Sequence, residues 1–176
     1  MAGLRKGIAV RTLTRPYTRK SKFKKKNFIK VVPGIKVVKF DMGAITKDFQ
    51  YEVSLITKDS INIRQNAIES ARQIINRNLF NQLGALNYKF KVRIYPHHIL
   101  RENKMLTGAH ADRMQTGMSH SFGTPIGAAA RVKKGQILFT AYVDKENIDK
   151  AKKSLKTATP RIPAKCSVEV SEFKKA

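Results

Sequence analysis

Four histidines are the side chains of this sequence that could best support acid–base or metal chemistry. Two of them, His110 and His120, fall within one unusual stretch, residues 101–127, and Asp112 follows His110 by two positions. Residues spaced in this way in an irregular segment have no defined mutual geometry. Metal-assisted cleavage of RNA needs clustered carboxylates, and here Glu102 is the only other acid. The histidines therefore favour stacking on bases or hydrogen bonding to phosphate over catalysis.

Other signatures of catalysis or cofactor binding are missing from the sequence. It contains no GxxxxGK[ST] or GxGxxG phosphate-binding motif and no GxSxG nucleophile motif. The single cysteine, Cys166, excludes an internal disulfide, and no Cys/His spacing indicates zinc. Because Cys166 lies in an alternating apolar run, a small packed side chain is favoured over a nucleophile. We therefore predict no catalytic residue, no metal and no cofactor.

The charge of the chain indicates its kind of partner. Its 36 Lys and Arg against 12 acids give a formal net charge of +24 in 176 residues. A merely solvated surface would mix both signs, whereas this excess is typical of proteins that bind nucleic acid. The hydrophobic share of 41% is sufficient for the core of one domain. No signal-peptide core or membrane-length apolar stretch is seen, so a soluble, cytoplasmic protein without membrane contact is predicted.

Residues 1–34 are predicted to form a basic arm. The first 40 residues hold 13 Lys and Arg and no acid, with the densest run at 20–26. Such a segment repels itself and is expected to become ordered only against phosphate; a tail without specific contacts is the alternative. The cations of the arm that we predict to bind nucleic acid are Arg5, Lys6, Arg11, Arg15, Arg19, Lys20, Lys22, Lys24, Lys25, Lys26 and Lys30.

Apolar periodicity then predicts one α+β domain over residues 35–176. Strands are expected at 35–40, 49–57, 88–95 and 164–172, with Cys166, Val168 and Val170 on one face of the last, and a hairpin at 128–132 and 136–143. A helix over 62–83 is expected to start with a capping box of Asn62 and Gln65 and to end in a left-handed cap at Gly84. A second helix is expected over 145–155, capped by Asp144. This order predicts a mostly antiparallel sheet with two helices packed on it.

Two groups of domain cations are further candidates for phosphate contact. In the strand 88–95, Phe90, Val92 and Ile94 alternate with the cations, so that one face is apolar and the other basic. The basic face is either an exposed sheet face or a nucleic-acid platform, and the net charge favours contact with phosphate. The hairpin adds a basic turn at 133–135. The domain cations that we predict to bind RNA are Lys89, Lys91, Arg93, Arg131, Lys133 and Lys134.

The long loop 101–127 suits RNA by its composition. Glycines allow the backbone to approach a sugar-phosphate chain closely, and Arg113 and Gln115 can donate paired hydrogen bonds. Methionines such as Met105 and Met118 can pack on ribose or base faces. A basic body that holds RNA, with a loop reaching elsewhere, is the resulting hypothesis.

Several long strings identify a resemblance. HHILRENKMLTGAHADRMQTGM and FGTPIGAAARVKKGQ resemble the loop region of the L-ten-e proteins of the archaeal and eukaryotic large ribosomal subunit, within the universal L-sixteen family. RPYTRKS and VPGIKVVKFDMG resemble the N-terminal segment of that family, and IRQNAIESARQIINRNL resembles its long helix. The resemblance begins near Arg15 and continues to the last strand.

The resemblance implies a hammerhead-like α+β fold bound to large-subunit rRNA of the 23S type, between the central protuberance and the peptidyl-transferase region. It implies contacts with tRNA and neighbouring ribosomal proteins, with 5S rRNA as a further candidate partner, and no catalysis. The loop residues 104–118 are implied to reach toward the tRNA acceptor end. The loop residues carried over are Arg101, Lys104, Met105, Gly108, His110, Asp112, Arg113, Gln115 and Met118.

This chain departs from the family pattern at two places. His110 stands where a glycine is usual, and Ser119-His120-Ser121 replaces a segment such as Arg-Gly-Ala. The first change adds bulk and the second removes a cation. Two other classes stay open on the residues alone: an RNA-modifying or RNA-cleaving enzyme that uses the histidine-bearing loop, and a protein that compacts nucleic acid without sequence preference.

Overall fold

Eight antiparallel strands and three α-helices make up the part of the chain that the computed structural model describes, residues 6–13, 23, 25, 29, 31–102 and 123–173. The α+β class predicted from the sequence is confirmed. The helices are α1 (Ile8–Arg11), α2 (Gln65–Leu83) and α3 (Ile148–Lys156). The strands are β1 (Asp41–Gly43), β2 (Tyr51–Thr57), β3 (Ile61–Arg64), β4 (Lys89–Val92), β5 (His98–Glu102), β6 (Thr124–Val132), β7 (Ile137–Val143) and β8 (Cys166–Glu172).

The larger sheet has five strands in the order β1-β4-β7-β2-β8. Helix α3 lies on β2 and β7 and also contacts α2. Phe90 of β4 and Phe139 of β7 are fully buried, and their rings stack with centroids 5.8 Å apart. The apolar stripe predicted for the long helix is confirmed, since Ile68, Ala71 and Ile75 are buried in the same core.

The smaller sheet has three strands in the order β3-β6-β5. The hairpin predicted around residues 133–135 is wrong, because β6 and β7 belong to different sheets. At the turn, Gly135 has φ +80° and donates its N–H to Thr57 O at 2.8 Å. The chain therefore crosses from one sheet to the other here, and β7 pairs with β2 and β4 instead of with β6.

The predicted start of the long helix is also wrong. Residues 61–64 form β3, and α2 begins at Gln65 without a side-chain cap. Asn62 and Gln65 do not form a capping box, because their amides have distant partners. Asn62 donates to Val10 O and Thr12 O, both at 3.0 Å, and Gln65 Oε1 accepts from Lys36 N at 3.0 Å. The two bonds of Asn62 dock residues 6–13 on β3. The division of the chain at residue 34 stays a prediction.

The strand predicted over 35–40 is absent, and only Asp41–Gly43 pairs with β4. Its backbone groups are used elsewhere, since Gln65 binds Lys36 N through Oε1 and Gly34 O through Nε2. Gly84 ends α2 with φ +76° but ψ 166°, outside the left-handed helical region that was predicted. At Asn62, Gln65 and residues 34–36, long-range hydrogen bonds replace the local ones that the sequence pattern favours.

Asp144, the last strand and the long loop also differ from the prediction. Asp144 does not cap a helix; its Oδ2 accepts a hydrogen bond from Lys47 Nζ at 3.1 Å, and a 3-10 turn, Lys145–Asn147, precedes α3. In β8, Cys166 and Val168 pack on the core, but Val170 is 37% exposed at the sheet edge, so the predicted single apolar face is only partly formed. The stretch read as loop from 101 to 127 is strand at both ends.

Candidate nucleic-acid interface

A row of cations lies along β4 on the side opposite the core. Phe90 and Val92 are buried, whereas Lys89 and Lys91 are half-buried and Arg93 is exposed. The alternation predicted for this strand is therefore confirmed. Because successive side chains of a strand point to opposite faces, the apolar positions anchor the strand while the cations face outward. The row is thus presented on rigid backbone.

A groove of about 340 Å³ runs beside this row, and we call it the sheet-face groove. It is lined by the β4 cations together with Lys47, Asp48, Glu52, Tyr142 and Phe173. Two of the lysines have acidic neighbours: Lys91 Nζ lies 3.7 Å from Asp41 Oδ1, and Lys47 Nζ lies 3.1 Å from Asp144 Oδ2. Exposed ion pairs of this kind contribute little stability, so a phosphate can compete for these cations.

Two aromatic side chains that line the groove contact each other. The rings of Tyr142 and Phe173 meet edge to face with centroids 5.0 Å apart, and Lys89 Nζ lies 5.9 Å from the centroid of Tyr142. Burial raises the pKa of Tyr142, and the carboxylate of Glu52 raises it further. Tyr142 therefore stays neutral and adds no negative charge to the face.

The turn that joins the two sheets presents Lys133 and Lys134, both exposed. Its backbone is held from three sides, since Lys133 N donates to Gln136 Oε1, Lys134 N donates to Ser60 Oγ and Gly135 N donates to Thr57 O. Because the backbone is fixed and both lysine side chains are exposed, the turn is suited to binding the phosphates of a nucleic acid.

The smaller sheet holds the base of the long loop. Strands β5 and β6 pair from His98 opposite Ala129 to Glu102 opposite Thr124, so both ends of the segment 103–123 leave the sheet at one point. Thr124 Oγ1 also donates to Glu102 O at 3.1 Å. The scaffold predicted to hold the loop is therefore present in the described residues.

Three basic side chains gather near this base: His98, Arg101 and Arg131. Burial lowers the pKa of His98, and the charges of Arg131 and Arg101 lower it further because they repel the imidazolium form. His98 is therefore a neutral imidazole at pH 7 and can accept or donate a hydrogen bond. The other three histidines named from the sequence are His97, which is exposed, and two that lie outside the described residues.

We expect His98 to make the stability of the protein pH-dependent. Because its folded-state pKa is below the unfolded value near 6.5, the unfolded chain binds more protons, and stability is lost as the pH falls through the folded-state pKa. His98→Gln should therefore lose less stability than the wild type between pH 7 and pH 5 in urea unfolding. Arg131→Gln, which removes one cause of the shift, should be intermediate. An unchanged pH response in His98→Gln would show that His98 is not its source.

The structure describes only part of the predicted arm and loop sites. Lys6, Arg11 and Lys25 are exposed, and Arg101 is half-buried on β5. The predicted arm sites outside the described residues are Arg5, Arg15, Arg19, Lys20, Lys22, Lys24, Lys26 and Lys30. The predicted loop sites outside them are Lys104, Met105, Gly108, His110, Asp112, Arg113, Gln115 and Met118.

Sequence reasoning missed several residues of the sheet-face groove. Lys47, Tyr142 and Phe173 line it together with β4 although they are far away along the chain. Only Tyr142 carried a usable signal, since it lies in the strand predicted over 136–143. Strand pairing sets its two neighbours in the sheet: Tyr142 lies opposite Lys89 of β4 on one side and Glu52 of β2 on the other.

Among the described residues, no group of three or more His, Cys, Asp or Glu side chains is placed to hold a metal ion. No helix in the described part is both long and apolar enough to cross a membrane. Cys166 is half-buried, and burial together with Asp59 raises the pKa of its thiol, which keeps the thiol protonated.

Comparison with known proteins places these features in a family. The family described as "Ribosomal protein L16p/L10e" matches residues 15–169. A protein of Methanococcus aeolicus named "Large ribosomal subunit protein uL16" is 44% identical over 170 residues, which is 96% of this chain and 95% of that protein. Proteins of the same name from two other organisms are also similar. The protein of Archaeoglobus fulgidus is 43% identical over 92% of this chain and 90% of that protein. The protein of Staphylothermus marinus is 45% identical over 84% of this chain and 82% of that protein. The chain, with its basic sheet face and with paired strands on either side of the segment 103–123, belongs to the ribosomal protein L16p/L10e family.

Proposed function

We propose that this protein is a structural constituent of the large ribosomal subunit that binds rRNA through its basic surfaces. The observation that carries the proposal is the placement of cations on rigid backbone, along β4 and on the turn at 133–135, in a chain of this family. Relatives over most of the chain are named large ribosomal subunit proteins. The proposed location is accordingly the cytoplasmic ribosome, and the proposed role is structural rather than enzymatic.

Phosphate contact would supply most of the affinity. Each cation that neutralises a phosphate releases a counterion, and this term dominates binding by strongly basic proteins. The net charge of +24 gives an excess that the 12 acids of the chain cannot neutralise internally. The rRNA contacts proposed for the domain are Lys89, Lys91, Arg93, Arg131, Lys133 and Lys134, and the arm cations named above would extend them.

The long loop would have a different role from the body. In the proposal, residues 104–118 reach toward the tRNA acceptor end, while the body binds rRNA between the central protuberance and the peptidyl-transferase region. The support is geometric: β5 and β6 bring both ends of the segment to one edge of the small sheet, which a loop needs in order to project from a fixed base. tRNA, 5S rRNA and neighbouring ribosomal proteins are the further partners proposed.

The salt dependence of rRNA binding tests the proposal. If the protein neutralises about eight phosphates, log affinity for large-subunit rRNA should fall with log salt with a slope of roughly −6 to −7. Substituting glutamine for both Lys133 and Lys134 should reduce the steepness of this salt slope by about 1.5. Filter binding between low and moderate potassium chloride measures both values.

A matched control is Lys152→Gln, because Lys152 lies on α3 and is not among the cations proposed to contact rRNA. It should leave the slope close to that of the wild type. A nearly flat response of the wild-type protein to salt would remove phosphate contact as the main term. Failure of the tagged protein to sediment with large subunits after a high-salt wash would contradict the ribosomal role itself.

A further inference from the structure

Three aromatic rings form a row at the end of the cationic strand β4. The rings of Phe40 and Tyr95 stack with centroids 5.7 Å apart and an interplanar angle of 27°. The imidazole of His97 follows, with its centroid 4.4 Å from that of Tyr95 and a tilt of 54°. We call these three residues the aromatic row. Phe40 packs against the main core, in which Phe90 and Phe139 stack, whereas Tyr95 and His97 are not part of that core.

Backbone hydrogen bonds fix the aromatic row before any partner binds. His97 N donates to Tyr95 O at 2.9 Å across Pro96, which is a three-residue turn with proline at its centre. On the other side, Val92 N donates to Phe40 O at 2.8 Å. Because the backbone that carries the rings is fixed, the protein would lose little further conformational freedom when a ligand stacks on them.

The row is open to solvent at one end. Exposure alternates along the chain, with Arg93, Tyr95 and His97 exposed and Ile94 and Pro96 buried. Tyr95 is 40% exposed, whereas Phe40 is half-buried and packs on the core. The row therefore begins at the core with Phe40 and ends at an exposed imidazole. A cluster serving only to fill the core would not place a tyrosine and a histidine at the surface.

The charges around the row indicate the kind of ligand. Arg93 precedes Tyr95 on the same exposed side and continues the cations of β4, and the exposed Lys39 is adjacent to Phe40. A ring surface flanked by cations suits a nucleotide, whose base stacks on rings and whose phosphate attracts cations. A mainly apolar protein segment would gain nothing from these charges.

We infer that the aromatic row is a stacking site for one unpaired base of the rRNA, with Arg93 and Lys39 meeting the phosphates on either side of it. The inference rests on the proposed rRNA binding. It adds a contact with one extruded base to the contacts with the phosphate backbone of the RNA. The cations of β4 would then track the phosphate chain up to the point where this base leaves its stack.

Substitution at His97 tests the inference. His97→Ala should weaken binding to purified large-subunit rRNA by about 10-fold, since one stacked base commonly contributes that much. His97→Phe keeps an aromatic surface and should bind within about 3-fold of the wild type. Phe80→Ala, at a 54% exposed aromatic on α2, is the matched control and should change nothing. The salt slope should be the same in all four proteins, because no phosphate contact is lost.

A covalent readout identifies the occupant. Ultraviolet irradiation of intact large subunits, followed by nuclease and protease digestion and mass spectrometry, should yield a peptide spanning Tyr95 and His97 that carries one nucleotide. Chemical probing of the rRNA should show one base that becomes reactive in His97→Ala and is protected again in His97→Phe. Equal affinity and equal protection in His97→Ala would overturn the inference, and so would a crosslink to another protein. In either case, an unchanged salt slope and sedimentation with large subunits would leave the proposed function standing.

Discussion

Replacing Gly43 with alanine is expected to destabilise the protein by at least about 2 kcal/mol. Gly43 has φ +84°, which L side chains rarely adopt, and a Cβ built there would lie 2.3 Å from the carbonyl oxygen of Tyr88. That oxygen cannot move away easily, because it accepts the N–H of Ala44 at 2.9 Å. The clash would therefore separate the edge strand β1 from β4. Chemical denaturation followed by circular dichroism measures the loss.

Gly34→Ala is the matched control for this change. Nothing lies within 4 Å of a Cβ built at Gly34, and the φ of Gly34 is not in the left-handed region. The free energy of unfolding of Gly34→Ala should therefore stay within about 0.5 kcal/mol of the wild-type value. Because Phe40 directly precedes β1, Gly43→Ala should also disturb the aromatic row. A stable Gly43→Ala protein would show that β1 can leave the sheet at no cost.

Replacing residues 106–115 with a short Gly-Ser link is expected to leave a folded protein that still enters the large subunit, while the resulting subunits bind tRNA poorly or translate slowly. The paired ends of the loop, Arg101 opposite Pro125 and Glu102 opposite Thr124, lie outside the replaced segment. Closure entropy changes by only about 0.6 kcal/mol for each halving of loop length. The replacement removes Arg113 together with Asp112, so the net charge and the rRNA affinity should change little.

Two single substitutions test the contribution of individual loop residues to this effect. Arg113→Ala should give a milder form of the same tRNA defect. His110→Gly, which restores the residue usual in the family, should be nearly silent, whereas an enzyme that used His110 would lose its activity. Subunit incorporation measured by sedimentation, together with tRNA binding to the purified subunits, separates these outcomes. If the shortened protein fails to enter subunits, the loop is an rRNA anchor and the division of roles between body and loop is wrong.

The sequence by itself determined those features that depend on neighbours within a few residues. The alternation of Phe90 and Val92 with Lys89, Lys91 and Arg93 needed only the two-residue period of a strand. The apolar stripe of α2 needed only the helical period. Charge excess and the strings shared with the family are likewise properties of the chain, and they indicate RNA and the ribosome without reference to the fold.

The tertiary structure decided which segments became partners, because pairing depends on burial between residues that are distant along the chain. The segments 128–132 and 136–143 were predicted to form a hairpin, yet β6 and β7 lie in different sheets, where each is paired with a strand on both sides. Asn62 and Gln65 were predicted to cap the helix, but their amides instead form hydrogen bonds with backbone groups of Val10, Thr12 and Lys36.

The aromatic row shows the same limit at the candidate site. Phe40 lies far from Tyr95 and His97 in sequence, and no local pattern brings the three rings together. They meet because β1 pairs with β4, which sets Phe40 beside Val92, and because Pro96 turns His97 back over Tyr95. The residue types were visible in the chain, but their stacking was decided by the register of two strands.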